Sequence, residues 1–272
     1  MRNHSCTESE VTLLVAIIGL LIAATVAALA GLAAYAANRV IPAQTRQDYR
    51  DGSGVITGIV GTLFAVSIGL VVVAAWNQVN TATETSATEA SNLTDVFWYS
   101  RSLPAPQRAT LQTLATGYAT TVVREEWPIM ASEHRLSQNA WRLSDQIRSF
   151  FQTVQPDGSG PSARYGAAMA RMQTVLDSRR SRAQMADTGV PPLLWVALGG
   201  CGLVALLPSI LCGSANRRVH VILAAAVGGM VGLVLFLVYQ LDFPFSGGIS
   251  ISPAAFEQAL HRFDDIRALG AG

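Results

Sequence analysis

Four long stretches without Asp, Glu, Lys or Arg dominate the hydrophobic pattern of this chain. They cover residues 11–38, 52–83, 188–216 and 219–241. About 20 apolar residues are enough to cross a bilayer as a helix, so each stretch is long enough to span. The pattern therefore predicts an integral membrane protein with spans at about 11–37, 55–78, 192–211 and 221–241.

The four predicted spans come in two pairs, which are separated by a charged middle segment. The predicted fold class is all-α, with four transmembrane helices in two hairpins and a helical soluble domain inserted between the second and third spans. We expect four parts: 1–80 with the N-terminal tail and first hairpin, 81–190 with the soluble domain, 191–241 with the second hairpin, and 242–272 as a C-terminal tail.

The middle segment has the spacing of amphipathic helices. One apolar stripe recurs at alternating steps of four and three: Leu136, Ala140, Leu143, Ile147, Phe150 and Val154. Such a stripe must pack against another helix. A second follows a turn-rich loop at 155–162 and consists of Tyr165, Met169, Met172 and Leu176. The second span is expected to continue as one helix to about Ser102, because no Pro or Gly interrupts the chain between Trp76 and Pro104.

Small residues recur at intervals of four in the predicted spans. Gly19, Ala23, Ala27 and Gly31 form one ridge, and Gly228 and Gly232 form another. Such ridges let neighbouring membrane helices approach closely, although an alanine-rich helix also produces them by chance. Close helix packing is likewise the interpretation for Gly54, Gly58 and Gly61, and for Cys201 and Cys212 in the third span.

The amino-acid composition argues against several classes of function for this chain. The formal net charge is +1, which argues against a nucleic-acid footprint. Since all 19 basic residues are arginine, a Walker A loop, a pyridoxal Schiff base and a kinase-type lysine are excluded. The four histidines lack metal-ligand spacing. We therefore predict no enzyme activity, no metal and no cofactor.

Two groups of charged residues allow more than one interpretation. Glu125 and Glu126 are compatible with acid/base chemistry, but a solvated helix face explains them better. Arg179, Arg180 and Arg182 lie just before the third span, where they are either ordinary membrane-flanking charges, the favoured interpretation, or a site that attracts anions or anionic lipid headgroups.

Several separated motifs resemble the bestrophin-like family of bacterial and plant membrane proteins. They are Trp76 with Glu89-Ala90, Tyr118 before Glu126-Trp127-Pro128, Arg179-Arg180-Ser181-Arg182 before Pro191-Pro192-Leu193-Leu194-Trp195, and Leu241-Asp242 with Pro244-Phe245-Ser246-Gly247 and Phe256. The more distantly similar true bestrophins are pentameric anion channels with four spans and a helical cytosolic domain. Their calcium-binding acidic run is not matched here, because residues 249–252 are Ile-Ser-Ile-Ser and only Asp242 is nearby.

The resemblance implies an oligomeric membrane channel, with a small inorganic anion as permeant ion and the bilayer as partner. The candidate pore or gating residues belong to the second span and its end: Thr57, Phe64, Ser67, Asn77 and Asn80. Ordinary helix packing is the alternative for each of them. The alternative function is a membrane-anchored scaffold or sensor whose helical domain binds a partner protein.

The turn after the fourth span is the second candidate site. Asp242, Pro244, Phe245 and Gly247 are predicted to act as a structural hinge between that span and the soluble domain, while a plain helix end is the alternative. The resemblance also implies a multi-pass protein of a bacterial plasma membrane, with both termini and the middle domain cytoplasmic.

Overall fold

The protein is all-helical throughout the part of the chain that the structure describes. This computed structural model describes residues 2–211, 216–248 and 250–269, without the side chains of residues 2–12 and 43–57. The helices are α1 Arg2–Val40, α2 Ala43–Tyr99, α3 Ala105–Thr121, α4 Trp127–Glu133, α5 Gln138–Thr153, α6 Ser159–Asp187, α7 Pro192–Leu211, α8 Arg217–Gln240 and α9 Ala254–Ala268. A 3-10 turn, Ser100–Ser102, follows α2, and a π turn, Val122–Glu126, joins α3 to α4.

Four of these helices are long and apolar enough to cross a membrane, which confirms the number of predicted spans. The segments are Leu13–Val40, Gly58–Ser102, Pro192–Leu211 and Arg217–Gln240. Helix α2 begins at Ala43, directly after Pro42, and so extends before the span predicted from about residue 55. One predicted boundary was wrong. The loop predicted at 155–162 is shorter, because α6 begins at Ser159 and accommodates Pro161 in its first turn, where no backbone N–H is needed.

The chain forms two compact units. The membrane unit comprises Met1–Trp76 and Val190–Asp242, and the helical unit comprises Asn77–Gly189 and Phe243–Gly272. Helix α2 is continuous through the boundary between Trp76 and Asn77.

In the membrane unit, α1 packs along α8 through small residues. A Cβ built on Gly228 would lie 2.5 Å from the Cβ of Ala30, and one built on Gly232 would lie 2.9 Å from the Cβ of Val26. The ridge on α1 faces the same way, since Gly31 lies against Val221 and Ala225. Both predicted ridges therefore lie in the contact between α1 and α8, although each faces residues beside the other ridge. In lipid, close van der Waals contact of this kind is the main attraction between helices.

The helical unit has a conventional apolar core. Phe97 of α2 stacks on Phe263 of α9 with ring centroids 4.2 Å apart, and Phe151 of α5 contacts Tyr99 and Tyr165. The stripe predicted on α5 is buried or half-buried along its length. Helix α5 is capped by Ser137, whose hydroxyl accepts the backbone N–H of Asn139 at 3.1 Å.

Candidate functional site

Five polar side chains from four helical elements meet in the interior of the helical unit. They are Glu89 of α2, Tyr118 of α3, Glu126 of the π turn, and Arg179 and Arg182 of α6; we call them the charge cluster. All five are completely shielded from solvent. Because charged side chains are almost never fully buried unless they are paired, this cluster is the most unusual chemical feature of the unit.

Each arginine of the charge cluster is paired with a carboxylate through two nitrogens. Arg182 donates from Nε and Nη2 to the two oxygens of Glu89, both at 2.9 Å. Arg179 donates from Nη1 and Nη2 to the two oxygens of Glu126, at 3.0 and 2.7 Å. The Nη1 of Arg182 also lies 2.7 Å from Oε1 of Glu126, so Glu126 bridges both arginines. Two carboxylates thus neutralise two guanidinium groups in geometry that favours charge-assisted hydrogen bonds.

The hydroxyl of Tyr118 closes the network. It donates a short hydrogen bond to Glu89 and accepts one from Nη1 of Arg179 at 3.0 Å. The remaining acceptor capacity of Glu126 is filled by the backbone N–H of Ser137 at 3.0 Å. The cluster therefore connects α2, α3, the π turn, α6 and the first turn of α5.

Local structure explains why these residues converge. Arg179 and Arg182 are three positions apart, which places both on one face of α6. Glu126 ends the π turn, whose extra residue rotates the following helix relative to α3. Eight positions on an uninterrupted α-helix differ by about 80° in rotation. The extra residue of the π turn reduces this angle, so Glu126 and Tyr118 both point inward.

Aromatic rings cover the guanidinium groups. The Cζ of Arg179 lies 4.4 Å from the ring centroid of Trp141, and that of Arg182 lies 5.6 Å from Trp127 and 5.5 Å from Phe256. Guanidinium groups at these distances are attracted to the faces of aromatic rings. The Nε of Arg179 is buried and has no hydrogen-bond acceptor among the described residues.

The surroundings hold Glu126, Arg182 and Tyr118 in one protonation state near neutral pH. Burial alone raises the pKa of Glu126, but the charges of Arg182 and Arg179 outweigh it and hold the pKa below its ordinary value. Burial lowers the pKa of Arg182, yet Glu89 and Glu126 together raise it. Burial and then the charge of Glu89 raise the pKa of the Tyr118 hydroxyl. These three groups can therefore fix helices electrostatically but are poorly suited to proton transfer.

The charge cluster corrects two sequence predictions. Glu126 is not on a solvated face, and Arg179 and Arg182 are neither membrane-flanking charges nor free to attract anions, because all three are buried in ion pairs. Arg180 alone is exposed, and it pairs with Asp177 at 2.8 Å. Sequence reasoning missed the site because helix periodicity does not show which distant carboxylate meets which arginine. One signal for the site was available in the sequence. The motifs that carry the family resemblance contain two acidic residues and two of these arginines.

The candidate pore residues are spread along α2. In the membrane unit, Phe64 and Ser67 line a largely apolar cavity of about 450 Å³ between α2 and α7. The Ser67 hydroxyl donates to the carbonyl of Leu63 at 2.8 Å. In the helical unit, Asn77 and Asn80 are exposed. The side chain of Thr57 lies outside the described residues.

Two packing predictions for the membrane unit are not confirmed within a single chain. Gly58 and Gly61 have open space within 4 Å of a built Cβ, as far as the described side chains reach. Cys201 is exposed and lines the cavity rather than packing inside the unit. Gly54 and Cys212 belong to the ranges for which the structure gives no such detail.

The candidate hinge residues divide between the two units. In the membrane unit, Asp242 accepts the backbone N–H of Val190 at 2.6 Å, which connects the end of α8 to the start of α7. In the helical unit, Phe245 is buried with its ring edge-on to Trp127 at 5.6 Å. The Pro244 carbonyl accepts the N–H of Ile251 at 3.0 Å, and Gly247 has φ +83°, which a residue with a side chain rarely adopts.

The described residues contain no group of three or more His, Cys, Asp or Glu side chains that could hold a metal ion. His220 instead has a structural environment. It is buried in the membrane unit, where Asn38 of α1 and the Ser209 carbonyl of α7 lie at 2.9 Å from its two ring nitrogens.

Comparison with solved structures shows a known fold. A crystal structure of the bacterial bestrophin homolog from Klebsiella pneumoniae, phased with zinc, has a TM-score of 0.67 at 12% identity and covers 93% of this chain and 98% of that chain. A mutant of the same homolog gives 0.67 at 12% identity, with 92% and 98% covered. A variant described as a membrane protein gives 0.66 at 12% identity, with 92% and 97% covered. At this identity the likeness shows the fold alone.

No curated protein sequence matches this chain. The model of the bestrophin-like domain, in contrast, matches residues 13–256. This match includes all four candidate spans and every member of the charge cluster. Because it extends over most of the sequence, the chain belongs to the bestrophin-like family.

Proposed function

We propose that this protein is an oligomeric ion channel in which α2 lines the conducting pathway. The observation that carries the proposal is the exposure of α2. Only 6% of the most apolar stretch of its span is buried, compared with 11% for α1 and α7 and 33% for α8. A helix that keeps Ser, Thr and Asn side chains on such an uncovered surface is well suited to line a pore between copies of the chain.

Further along α2, in the helical unit, the exposed residues form a polar stripe. Its members recur at steps of three or four and are Asn77, Asn80, Glu84, Thr88, Ser91 and Asp95. This spacing places them on one side of the helix. The stripe supports a continuous hydrophilic surface that follows the same helix out of the membrane.

The channel architecture we propose has two membrane hairpins with the helical domain inserted between them. Copies of the chain associate around α2, and Asp242 with the Pro244-Phe245-Ser246-Gly247 turn serves as the hinge between the fourth span and the helical domain. The permeant ion implied by the resemblance to bestrophins is a small anion such as chloride.

One observation favours cations as a second candidate. The stripe on α2 carries Glu84 and Asp95, and no basic residue occurs on this helix between residues 58 and 99. Asp95 is compensated by Arg171, whose Nε lies 3.3 Å away, whereas Glu84 is exposed. Rings of acidic side chains are a recognised basis of cation selectivity.

Flux through liposomes that contain the purified full-length protein tests both candidates. Dilution potentials across a potassium chloride gradient distinguish anion from cation permeation by their sign. Replacing Glu84 by Gln is expected to reduce cation preference, while Glu133→Gln, on α4, is the control. Absence of flux in any salt, together with a monomer on sizing, would contradict the channel and favour the scaffold or sensor.

The proposed orientation places the termini and the helical domain in the cytoplasm. The positive-inside rule assigns the side with more accessible arginines to the cytoplasm. Arg179 and Arg182 are buried, whereas Arg39, Arg217 and Arg218 are exposed at the short-loop ends of α1 and α8. The arginine count therefore favours the opposite orientation. Labelling of Cys6 on intact cells with an impermeant thiol reagent, with Cys6→Ser as control, decides the matter. Labelling before lysis contradicts the proposed orientation.

A further inference from the structure

Two arginines from different helices converge on one tyrosine ring in the membrane unit. The Cζ of Arg39, at the end of α1, lies 5.3 Å from the ring centroid of Tyr35. The Cζ of Arg217, at the start of α8, lies 4.1 Å from the same centroid. The two guanidinium groups are therefore under about 10 Å apart, and Arg218 is exposed beside them in sequence. All of these side chains are exposed.

Nothing of opposite charge accompanies these arginines in the described part of the unit. Among the membrane-unit side chains that the structure describes, the one carboxylate is Asp242. It is occupied by the backbone N–H of Val190 and follows the end of α8 that is opposite to Arg217. Like charges held this close repel each other unless an anion lies between them.

The helix ends that present the arginines are held together. His220 of α8 is within 2.9 Å of the Asn38 amide nitrogen, one residue before Arg39, and of the Ser209 carbonyl of α7. The Asn216 side chain accepts the backbone N–H of Arg218 at 3.0 Å and caps α8. The N-terminus of α8, which is the positive end of its helix dipole, lies beside these arginines. The arginines are thus presented by fixed helix ends and not by a loop.

The geometry points to a binding site for a phosphate group, formed by Arg39 and Arg217 around Tyr35. Arginine presents a planar array of donors that matches phosphate oxygens, and the tyrosine ring supports both guanidinium groups from one side chain. The site lies at the ends of two apolar spans, which is the depth of the lipid headgroups. Its ligand is the phosphate of an anionic phospholipid or free inorganic phosphate, and the site is independent of ion conduction.

The test measures lipid binding by the full-length protein in phosphatidylcholine nanodiscs into which phosphatidylglycerol is titrated. Each arginine near an anionic surface contributes about 1 kcal/mol, so Arg39→Gln/Arg217→Gln is expected to weaken phosphatidylglycerol binding roughly 30-fold and each single change about fivefold. The control is Arg180→Gln/Arg262→Gln, two exposed arginines of the helical unit, and it should bind as the wild type does. Unfolding midpoints in pure phosphatidylcholine verify that all variants are folded.

A parallel titration of the detergent-solubilised protein with inorganic phosphate identifies the source of the ligand. Loss of binding in the lipid titration alone assigns the site to a lipid headgroup. Loss in both titrations, or in the phosphate titration alone, assigns it to phosphate as such. If a folded Arg39→Gln/Arg217→Gln variant binds both probes as tightly as the wild type does, the site does not exist.

Discussion

Arg182 and Glu89 form a bidentate ion pair that is completely shielded from solvent, although 93 positions separate them in the chain. Glu89 belongs to α2, the helix that continues from the membrane unit into the helical unit. Burying two charges costs several kcal/mol of desolvation for each ion, so the pair is better explained as specifying how α2 meets α6 than as adding net stability. Such a fixed contact suits a helix that is proposed to line a pore.

Removal of one member of this pair should be costly. Glu89→Gln leaves the charge of Arg182 only partly compensated, and we expect the free energy of unfolding to fall by about 3–5 kcal/mol. Trp127 and Trp141 contact the cluster. Tryptophan fluorescence during denaturation in detergent therefore measures the loss of stability. Glu133→Gln, which removes an exposed ion pair with Arg135, should change stability by less than about 1 kcal/mol. Equal effects of the two changes would contradict the importance of the cluster.

The charge cluster should also make stability depend on acid pH through Glu126. Its pKa in the folded protein lies below the ordinary value of 4.5, so the unfolded chain binds a proton more readily. The stabilisation is present above pH 4.5 and is lost as the pH falls through the lower folded pKa. Unfolding midpoints between pH 3 and 7 measure this loss. Glu126→Gln should be less stable at pH 7 and show a shallower decline in acid; an unchanged slope would show that other carboxylates are responsible.

Tyr118 predicts the opposite dependence in alkali. Its pKa is raised above the ordinary value of 10.0 by burial and by Glu89, so the folded protein retains the hydroxyl proton longer than the unfolded chain does. The stabilisation is complete below pH 10 and decreases above it. Tyr118→Phe should lose about 1–3 kcal/mol at neutral pH, because a buried Glu89 oxygen loses one of its two donors and Nη1 of Arg179 loses an acceptor, and should also flatten the alkaline decline. Tyr165→Phe serves as the comparison, since that hydroxyl bonds a backbone carbonyl outside the cluster.

In the membrane unit, glycine should be required where α1 and α8 touch. Gly228→Ala places a Cβ 2.5 Å from that of Ala30, and the resulting overpacking should cost about 1–3 kcal/mol. Gly199→Ala on α7 meets nothing within 4 Å among the described side chains and should be neutral or slightly stabilising. Thermal unfolding in detergent compares the two. If Gly228→Ala unfolds at the wild-type temperature, the helices are not packed as closely as described.

Asp242 should act through its hydrogen bond to Val190. Asp242→Ala removes a charged acceptor at 2.6 Å and should cost about 1.5–3 kcal/mol, whereas Asp242→Asn retains an acceptor oxygen and should cost less. Pro244→Ala tests the turn that follows. Unfolding, assembly on sizing and liposome flux are measured for all three. The hinge proposal is wrong if Asp242→Ala and Pro244→Ala leave all three properties at wild-type values.

The sequence by itself determined the helical class, the four spans and the apolar stripe of α5. These features depend on local periodicity and on the length of uncharged stretches, which are properties of neighbouring residues. Only the tertiary structure decided which charges are buried. In the sequence, Glu126, Arg179 and Arg182 resemble surface residues. Their burial depends on contacts with Glu89 and Tyr118, which lie far away in the chain. The convergence of Arg39 and Arg217 on Tyr35 was likewise decided by the tertiary structure, because it depends on how α1 packs along α8.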